Sequence, residues 1–291
     1  IIPESEGSMR IEQLEGKELY RTRPLYQSIF RDTELFTDFF YRKAEKDGKA
    51  IVCMDGEEIV SEVFLLPRLL SCYDSMAEAV YLYGVATKEE YRGRGMMKIL
   101  MEKALAEAKC ANADFVYLIP ENPEIYKRLG FRLIKERKEK IYQLSVKEAK
   151  MMLKFNLEPL TEANFKEDIY QEINSLENEI RTGKELMPFR DREYFKERIV
   201  QAGIEGGGVY LLRKRNDYSI AGIIMTSEET GEIVIEDIVG DEEKKEGFIK
   251  DFMRWKGMAG MKEEIFPVMI AEIKEGIGIT DDMVIQINDV L

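Results

Sequence analysis

A short arginine- and glycine-rich turn is the part of the sequence best suited to chemistry. It reads Arg-Gly-Arg-Gly at residues 92–95, between an apolar strand pattern that ends at Thr87 and a helical pattern that begins at Met96. The backbone amides of such a turn, with the first amides of the helix, form a concave anion site. Glycine lets the backbone approach a phosphate, and arginine adds positive charge. The turn therefore predicts a pyrophosphate cradle; the alternative is a tight strand–helix turn with solvated arginines.

The composition excludes several kinds of active site. The protein has no histidine, which rules out Ser-His-Asp and Cys-His triads, HExxH zinc sites and every histidine-ligated metal. The three cysteines, Cys53, Cys72 and Cys110, form no CxxC pair, so a cysteine zinc site is excluded as well and no metal is expected. Sparse, odd-numbered cysteines are typical of a reducing cytoplasm.

Length and charge indicate a two-domain globular protein with an acidic second half. The chain has 291 residues, 45% apolar and 34% charged, and no apolar stretch of its sequence is long enough for a membrane span. Residues 1–150 carry a net charge of −1 and residues 151–291 a net charge of −12. Because nucleic-acid binders usually carry a basic patch, neither nucleic acid nor membrane is an expected partner. An acidic half could attract a cation, although a solubilising surface is the simpler interpretation.

The residues from Met9 to Leu144 alternate between strand and helix patterns, which is typical of an α/β sheet. The preceding residues, 1–8, resemble a cloning remnant. The predicted elements are a helix capped by Asp32 with Leu35, Phe36, Phe39 and Phe40 on one face, a hairpin of 50–54 and 59–66, strands 80–87 and 115–119, a helix 96–109, a short helix opened by Pro123 and ended by Gly130, and strands 131–134 and 140–144.

The rest of the chain repeats this order loosely. The predicted elements are helices 161–180, 191–202 and 241–258, the last with Phe248, Ile249, Phe252 and Trp255 inward, and strands 209–213, 220–226, 232–239, 268–273 and 283–287. Two helices, a hairpin, a third strand and a long helix occur in the same order in both parts. We therefore predict a structural repeat, with one domain at 9–148 and a second at 149–291.

Two motifs resemble the signature of the GCN5-related N-acetyltransferase (GNAT) superfamily. The family's acetyl-CoA motif, Gln/Arg-x-x-Gly-x-Gly/Ala after the fourth strand, is similar to Arg92-x-x-Gly95-x-Met97, in which methionine replaces the usual small residue. Downstream, NPEIYKRLGF at residues 122–131 resembles the family's helix from Asn to Tyr and the Gly-Phe pair that follows it. The resemblance implies the α/β fold of acyl-CoA N-acyltransferases, a mixed central sheet flanked by helices.

The resemblance narrows to the enhanced intracellular survival (Eis) acetyltransferase family. GVATKEEYRGRGMM and LIPENPEIYKRLGF, followed by a second GNAT-like half, are similar to that family. This implies a tandem GNAT protein with a degenerate second copy and, by analogy, a homo-oligomer. At the equivalent turn of the second copy, Asp241, Glu242 and Glu243 precede the helix. Acids there complement the helix dipole themselves and would repel a pyrophosphate.

The resemblance also implies acetyl-CoA as the acyl donor, held by main-chain groups of the fourth strand and the turn after it. The positions implied are Val85, Ala86 and Thr87 for the pantetheine arm, and Arg92, Gly93, Arg94, Gly95, Met96 and Met97 for the pyrophosphate. The strand at Val85 should diverge from its neighbour, and the Val85 amide should polarise the thioester carbonyl. Tyr126 matches the general acid that protonates the departing thiolate; the alternative is an aromatic residue that packs its helix on the sheet.

The general base has several candidates. Many family members use a glutamate on the strand before the phosphate turn, where the nearest acid in this sequence is Glu78. In Eis-like enzymes the terminal carboxylate takes part in proton removal, and here it belongs to Leu291. Glu121, in the loop before Tyr126, and a water molecule are the other candidates.

These observations predict a cytoplasmic, acetyl-CoA-dependent N-acetyltransferase that acts on a primary amine by direct transfer in a ternary complex, without a metal. The acidic surplus favours a cationic small-molecule acceptor such as an aminoglycoside or a polyamine. Two alternatives remain open: a non-catalytic module that binds or senses acetyl-CoA, and an acetyltransferase for a peptide or protein amine.

Overall fold

Strands and helices alternate along the chain, as the sequence predicts for an α/β protein. The computed structural model describes residues 9–73, 75–181, 185–229, 231–274, 279–280 and 283–287. Within that part of the chain, none of the helices combines the length and the apolar character that a bilayer crossing requires.

The helices and strands have the following bounds. The helices are α1 (Arg23–Phe30), α2 (Glu34–Asp47), α3 (Met96–Cys110), α4 (Glu124–Lys127), α5 (Val146–Ala149), α6 (Glu167–Ile180), α7 (Arg192–Ile204) and α8 (Lys245–Lys256). The strands are β1 (Met9–Glu15), β2 (Lys49–Asp55), β3 (Glu58–Cys72), β4 (Ser75–Thr87), β5 (Phe115–Leu118), β6 (Arg132–Lys135), β7 (Lys138–Gln143), β8 (Phe155–Leu160), β9 (Glu185–Pro188), β10 (Gly208–Lys214), β11 (Ile220–Glu229), β12 (Glu232–Gly240), β13 (Gly260–Ile265), β14 (Val268–Glu272) and β15 (Val284–Ile285). Short 3-10 turns precede α1, α3 and α8.

Contacts divide the chain into two units. The first is drawn from Ile1–Glu136, Leu186–Pro188 and Pro267–Leu291, and the second from Arg137–Glu185 and Phe189–Phe266. These units group residues by spatial contact, whereas the predicted domains, 9–148 and 149–291, are continuous stretches of sequence. The two domain ranges therefore stay a prediction.

The first unit is built on a mixed sheet with the order β1-β2-β3-β4-β5-β14-β6, and β9 adds to β3 and β15 beside that path. The pairing is antiparallel except between β4 and β5, which run parallel. The strand β14 lies between β5 and β6, although it comes more than a hundred residues after them in the sequence. The sheet of the first unit is therefore completed by a late segment of the chain.

Helices cover both faces of this sheet, because alternate residues of its central strands are buried on opposite sides. Val63 and Leu65 of β3 pack in one apolar cluster with Leu100 of α3. Phe64, between them in sequence, lies on the opposite face and contacts Tyr26 of α1. Around that contact lies an aromatic cluster, which we define as Tyr26, Phe30, Phe40, Tyr41, Phe64 and Tyr83.

The second unit has the sheet order β7-β13-β12-β11-β10-β8, with β12 and β13 parallel. The helix α8 buries Phe248, Ile249 and Phe252 against this sheet, while α6 and α7 contribute to a separate apolar cluster. Asp251 of α8 is fully buried, and its carboxylate accepts backbone hydrogen bonds from Lys154 at 2.6 Å and Phe155 at 2.8 Å. This side chain therefore fixes the beginning of β8 on the helix.

The structure corrects several details of the sequence prediction. The cap of α2 is Thr33, whose hydroxyl accepts from the Phe36 amide, and Asp32 binds elsewhere. Leu35 is 66% exposed and Trp255 is 38% exposed, because each extends past the edge of the buried stripe of its helix. The predicted helix over 161–180 begins only at Glu167, and the one over 241–258 begins at Lys245 after a 3-10 turn. The strands β1 and β8 and the helix α1 were not predicted.

Replacing Asp251 by alanine should lower the free energy of unfolding by about 3 kcal/mol, because two amides and the buried guanidinium of Arg254 lose their acceptor. Urea denaturation measures the change. Glu246→Gln, at an exposed position of the same helix, is the matched control and should leave the midpoint nearly unchanged. Equal midpoints for the two variants would contradict this role of Asp251.

Candidate active site

The strand β4 loses its parallel neighbour halfway along its length. Residues 79–81 of β4 pair with residues 115–117 of β5, and the last of these pairs joins Tyr81 to Tyr117. The strand β4 itself runs on to Thr87. On its other side β4 stays paired with β3 as far as Thr87. The parallel pairing therefore ends at Tyr81, and beyond it β4 has no parallel neighbour among the described residues, so backbone groups on that side can face a ligand.

A β-bulge interrupts β4 a few residues beyond this point. The register with β3 shifts between Glu62, which pairs with Ala86, and Phe64, which pairs with Tyr83. Gly84 lies in this bulge at φ +60°, and a Cβ there would come within 3.0 Å of the Phe64 ring. Because glycine tolerates the left-handed region and leaves this space, it permits the bulge that re-aims the backbone at Val85.

The backbone beyond the bulge alternates in direction. The Ala86 carbonyl accepts a hydrogen bond from the Ser61 hydroxyl of β3 at 2.9 Å, and the Lys88 amide donates to Val60 at 3.0 Å. Ala86 and Lys88 thus turn backbone groups toward β3. Since neighbouring residues of a strand point their backbone groups to opposite sides, Val85 and Thr87 turn theirs toward the gap between β4 and β5.

The turn between β4 and α3 has the open backbone expected for anion binding. Gly93 and Gly95 have φ of +76° and +82°, and no atom lies within 4 Å of a Cβ built on either residue. The first hydrogen bond of α3 runs from the Ile99 amide to the Gly95 carbonyl at 3.2 Å. The amides of Met96 and Met97 come before it in the chain, and a helix leaves such amides without intrahelical acceptors. The turn and the start of α3 together therefore present backbone donors next to open space.

The side chains of the two arginines of the turn donate hydrogen bonds to backbone carbonyls that precede it. The Arg92 Nε donates to the Thr87 carbonyl at 3.2 Å, and the Arg94 guanidinium donates to the Glu90 carbonyl at 3.0 Å and lies 5.1 Å from the Tyr91 ring centre. Both side chains are exposed. They place positive charge at the amino end of α3, where the helix dipole has the same sign and an anion gains from both.

Tyr126 lies on α4 in an apolar environment. It packs, half-buried, against the cluster that also receives Val85 and Met97, and its ring centre is 6.2 Å from that of Phe131. Burial raises the pKa of the Tyr126 hydroxyl. A phenol with a raised pKa keeps its proton at neutral pH, as a general acid must. The fold thus brings four of the predicted site residues, Val85, Met96, Met97 and Tyr126, to one cluster.

The acids proposed as bases are less well placed. Glu78 lies near the start of β4, roughly 20 Å along the strand from Val85 at the usual rise per residue. Its backbone amide donates a hydrogen bond to the Asp114 carboxylate. Glu121 is exposed in the loop after β5. Leu291 lies outside the residues that the structure describes.

Glu62 is a functional candidate that the sequence analysis missed. It is fully buried on β3 opposite Ala86, and among the described residues neither carboxylate oxygen has a hydrogen-bond partner. Burial raises the pKa of this carboxyl well above its ordinary value. The sequence offered one signal, a lone acid within the apolar run from Ile59 to Leu66.

A second group that was missed joins α1, the start of α2 and β4. The Tyr26 hydroxyl donates to Asp32 Oδ2 at 2.7 Å and lies 2.8 Å from the Tyr83 hydroxyl. Tyr83 directly precedes the bulge. No sequence spacing relates these three residues, because α1 itself was not predicted.

A cleft of about 860 Å³ opens at the carboxyl end of β4, beside α1. Its lining residues are Arg21, Pro24, Leu25, Ser28, Ile29, Glu57, Glu58, Ile59, Lys88, Glu89 and Glu90. Four of these carry carboxylates and two carry cationic groups, and Lys88 is paired with Glu58. The cleft is therefore net acidic and large enough for a small organic molecule.

The second unit has a comparable strand arrangement with different chemistry. Its parallel pairing of β12 with β13 covers Val234 and Ile235, and the register with β11 shifts just beyond them. At that point Glu236 pairs with Arg198 and Asp237 pairs with Arg190, each at 2.5 Å and nearly buried.

In the second unit, the turn after β12 is occupied by ion pairs between its own side chains. The Asp241 carboxylate accepts from the Glu243 amide at 3.1 Å, and the carboxylates of Asp241 and Glu242 pair with Lys244 and Lys245. Acids thus occupy the positions where the first unit has arginine and glycine, and Asp241 satisfies a donor of the 3-10 turn that precedes α8.

Comparisons with known proteins agree with this geometry. Residues 10–134 match the family model described as the acetyltransferase (GNAT) domain. No match was found among curated protein sequences.

Solved structures share the fold at low sequence identity. A protein of Enterococcus faecalis V583 described as a probable N-acyltransferase is 14% identical, with 91% of this chain and 73% of that chain covered and a TM-score of 0.71. Eis1 from Mycobacterium abscessus is 10% identical, with 92% and 74% covered and a TM-score of 0.62. The Saccharomyces cerevisiae N-myristoyltransferase with bound myristoyl-CoA is 10% identical, with 89% and 82% covered and a TM-score of 0.59.

Glu62 should make stability depend on pH. Its pKa is raised in the folded state, so its contribution is complete below the unfolded pKa of about 4.3 and is lost as pH rises toward the folded value. Urea unfolding between about pH 5 and about pH 8 should show Glu62→Gln gaining on the wild type as pH rises, by at least about 1 kcal/mol across the range. Parallel stability curves would show that the carboxyl is not buried in its neutral form.

Proposed function

We propose that this chain, whose residues 10–134 match the family model of the acetyltransferase (GNAT) domain, transfers an acetyl group from acetyl-CoA to a primary amine. The match to that family model and the shared fold support an acyltransferase that uses an acyl-CoA donor and an amine acceptor. The proposal concerns the finer points: the acyl group, the binding residues, the acid and the acceptor.

The end of the pairing between β4 and β5 at Tyr81 is the observation that carries the proposal. A pantetheine arm can lie in the gap and pair with the backbone groups of Val85 and with the Thr87 amide, since the Thr87 carbonyl accepts from Arg92. Ala86, whose carbonyl faces Ser61, lines the floor. The Val85 amide can donate to the thioester carbonyl oxygen and stabilise the charge that develops there.

The turn after β4 supports pyrophosphate binding. Gly93 and Gly95 leave open space beside the backbone amides of Arg94, Met96 and Met97, and the arginines add charge. Backbone donors at a helix start suit a diphosphate. The acids at the equivalent turn of the second unit support a division of labour in which only the first unit binds the donor.

Transfer then proceeds in a ternary complex without a covalent enzyme intermediate. The amine nitrogen attacks the thioester carbon, the C–S bond breaks, and Tyr126 gives its proton to the departing sulfur. The acidic cleft supports a cationic acceptor, such as a polyamine or an aminoglycoside, because ammonium groups gain from Glu57, Glu58, Glu89 and Glu90.

Gly95→Glu should abolish acetyl-CoA binding, because it places a carboxylate where the diphosphate charge would lie. Isothermal titration with acetyl-CoA and with CoA should show at least about a 100-fold loss of affinity. Gly231→Glu is the matched control, since Gly231 has a similar φ of +86° and equally open surroundings in the second unit. Retained affinity in Gly95→Glu, or equal losses in both variants, would contradict the cradle.

Tyr126→Phe should lower the rate of thiol release by about 100-fold and leave acetyl-CoA affinity intact, because the ring and its packing remain while the proton donor is lost. The assay follows thiol release with acetyl-CoA over a panel of polyamines, aminoglycosides and amine-bearing peptides. A wild type that binds acetyl-CoA but acetylates no amine would favour the sensing module. Turnover restricted to peptides would favour a protein or peptide acceptor.

A further inference from the structure

Three side chains form a continuous hydrogen-bonded path that ends beside the β4 bulge. Tyr26 has a single hydroxyl proton, and it donates this proton to Asp32 Oδ2 at 2.7 Å. The 2.8 Å contact between the Tyr26 and Tyr83 hydroxyls therefore needs its proton from Tyr83. The hydrogen bonds run in one direction, from Tyr83 through Tyr26 to Asp32.

The exposure of the three residues suits a proton path. Tyr83, half-buried, precedes Gly84 and Val85 on the strand that carries the reactive gap. Tyr26 is fully buried in the aromatic cluster, where solvent cannot interrupt the path. Asp32 is half-buried after α1, so a proton that arrives there can pass to water.

The faces of the sheet separate this path from the acid. Val85 and Tyr126 pack in the cluster on the α3 side. Tyr83 contacts Tyr26, Phe30 and Phe40 on the opposite face, which α1 and α2 cover. Proton removal and proton donation would thus reach the gap from opposite faces, and the acidic cleft lies on the α1 side as well.

Electrostatics favour Asp32 as the end of the path. Burial raises the pKa of Asp32 above its ordinary value, and the hydrogen bond from Tyr26 lowers it in part. Burial also raises the pKa of Tyr26, with Tyr83 and Asp32 as the neighbouring groups, so Tyr26 stays neutral and relays a proton instead of storing one.

The other charged groups at this cluster act elsewhere. The charge of Glu62 of β3 raises the pKa of Tyr41, and the charge of Arg23 of α1 lowers it. Arg23 is itself paired with Glu34 and Asp38. A carboxylate with a raised pKa is a stronger base near neutral pH than a solvated one.

We propose that Asp32, Tyr26 and Tyr83 form the relay that removes a proton from the acceptor ammonium before acetyl transfer, an inference that rests on the proposed function. The ammonium gives a proton to the Tyr83 oxygen, Tyr83 gives its own to Tyr26, and Tyr26 gives its own to Asp32. The freed nitrogen lone pair forms the C–N bond as the C–S electrons leave with sulfur. The second proton lost by nitrogen replaces the one that Tyr126 gives to the thiolate, and Asp32 returns its proton to water.

The test uses Tyr26→Phe, which keeps the ring in the cluster and removes only the central hydroxyl. The control is Tyr41→Phe, which removes a hydroxyl bonded to Thr22 at 2.7 Å in the same cluster, outside the path. With acetyl-CoA and the best amine of the panel, Tyr26→Phe should lower kcat by about 100-fold and leave KM for acetyl-CoA unchanged. Tyr41→Phe should stay close to the wild type, and circular dichroism should be the same for all three proteins.

The pH profile of kcat separates a relay from a structural role. The wild-type rate should rise with pH as Asp32 loses its proton, and Tyr26→Phe should lose this limb, because Asp32 can no longer accept the proton through the Tyr26 hydroxyl. Asp32→Asn should remove the limb and leave a low rate that does not depend on pH there. Rates in mixtures of light and heavy water should indicate several protons in motion in the wild type and one in Tyr26→Phe.

The outcomes distinguish this inference from the proposed function. A wild type that acetylates no amine overturns the proposed function, and the relay with it. An active wild type with unchanged kcat, pH profile and isotope dependence in Tyr26→Phe overturns the relay alone. Equal losses in Tyr26→Phe and Tyr41→Phe would assign the effect to packing of the aromatic cluster and would also overturn it.

Discussion

The site depends on one constraint, the requirement that backbone hydrogen-bonding groups find partners. Where β5 stops following β4 after Tyr81, the strand keeps its antiparallel partner β3 on one side only. Peptide groups on the other side need water or a ligand, since leaving them unpaired is costly. Gly84 allows the bulge, and the bulge gives Val85 a direction that a regular strand would not have. The proposed binding site for an extended, amide-rich molecule therefore rests on strand geometry before any side chain is considered.

The side chains around that gap divide by face. Apolar residues of α3 and α4 surround Tyr126 on one side, and the aromatic cluster surrounds Tyr26 on the other. Both environments raise the pKa of a phenol by burial. The two phenols nevertheless differ in their partners, because Tyr26 bonds a carboxylate and no described carboxylate acts on Tyr126. Similar side chains can thus serve opposite directions of proton transfer because their neighbours differ.

Sequence reasoning recovered what depends on local chemistry. The glycines of the turn, the start of α3 at Met96 and the Asp55-Gly56 hairpin could be read directly, because backbone conformation limits the residues allowed there. Contacts between distant segments could not be read in this way. The Asp32 carboxylate accepts from the Tyr26 hydroxyl and does not cap the start of α2. Only the packing of α1 on the sheet brings Asp32 and Tyr26 together. The missing partner of Glu62 is likewise a property of its surroundings, which no spacing encodes.

The insertion of β14 between β5 and β6 has a consequence for synthesis on the ribosome. The sheet of the first unit cannot close until residues 268–272 have left the exit tunnel, although β5 and β6 are made more than a hundred residues earlier. Until then β5 and β6 have open edges, which can pair with other nascent chains. Folding of the first unit is thereby tied to synthesis of the chain as far as β14, so products terminated before residue 268 would emerge without a completed sheet.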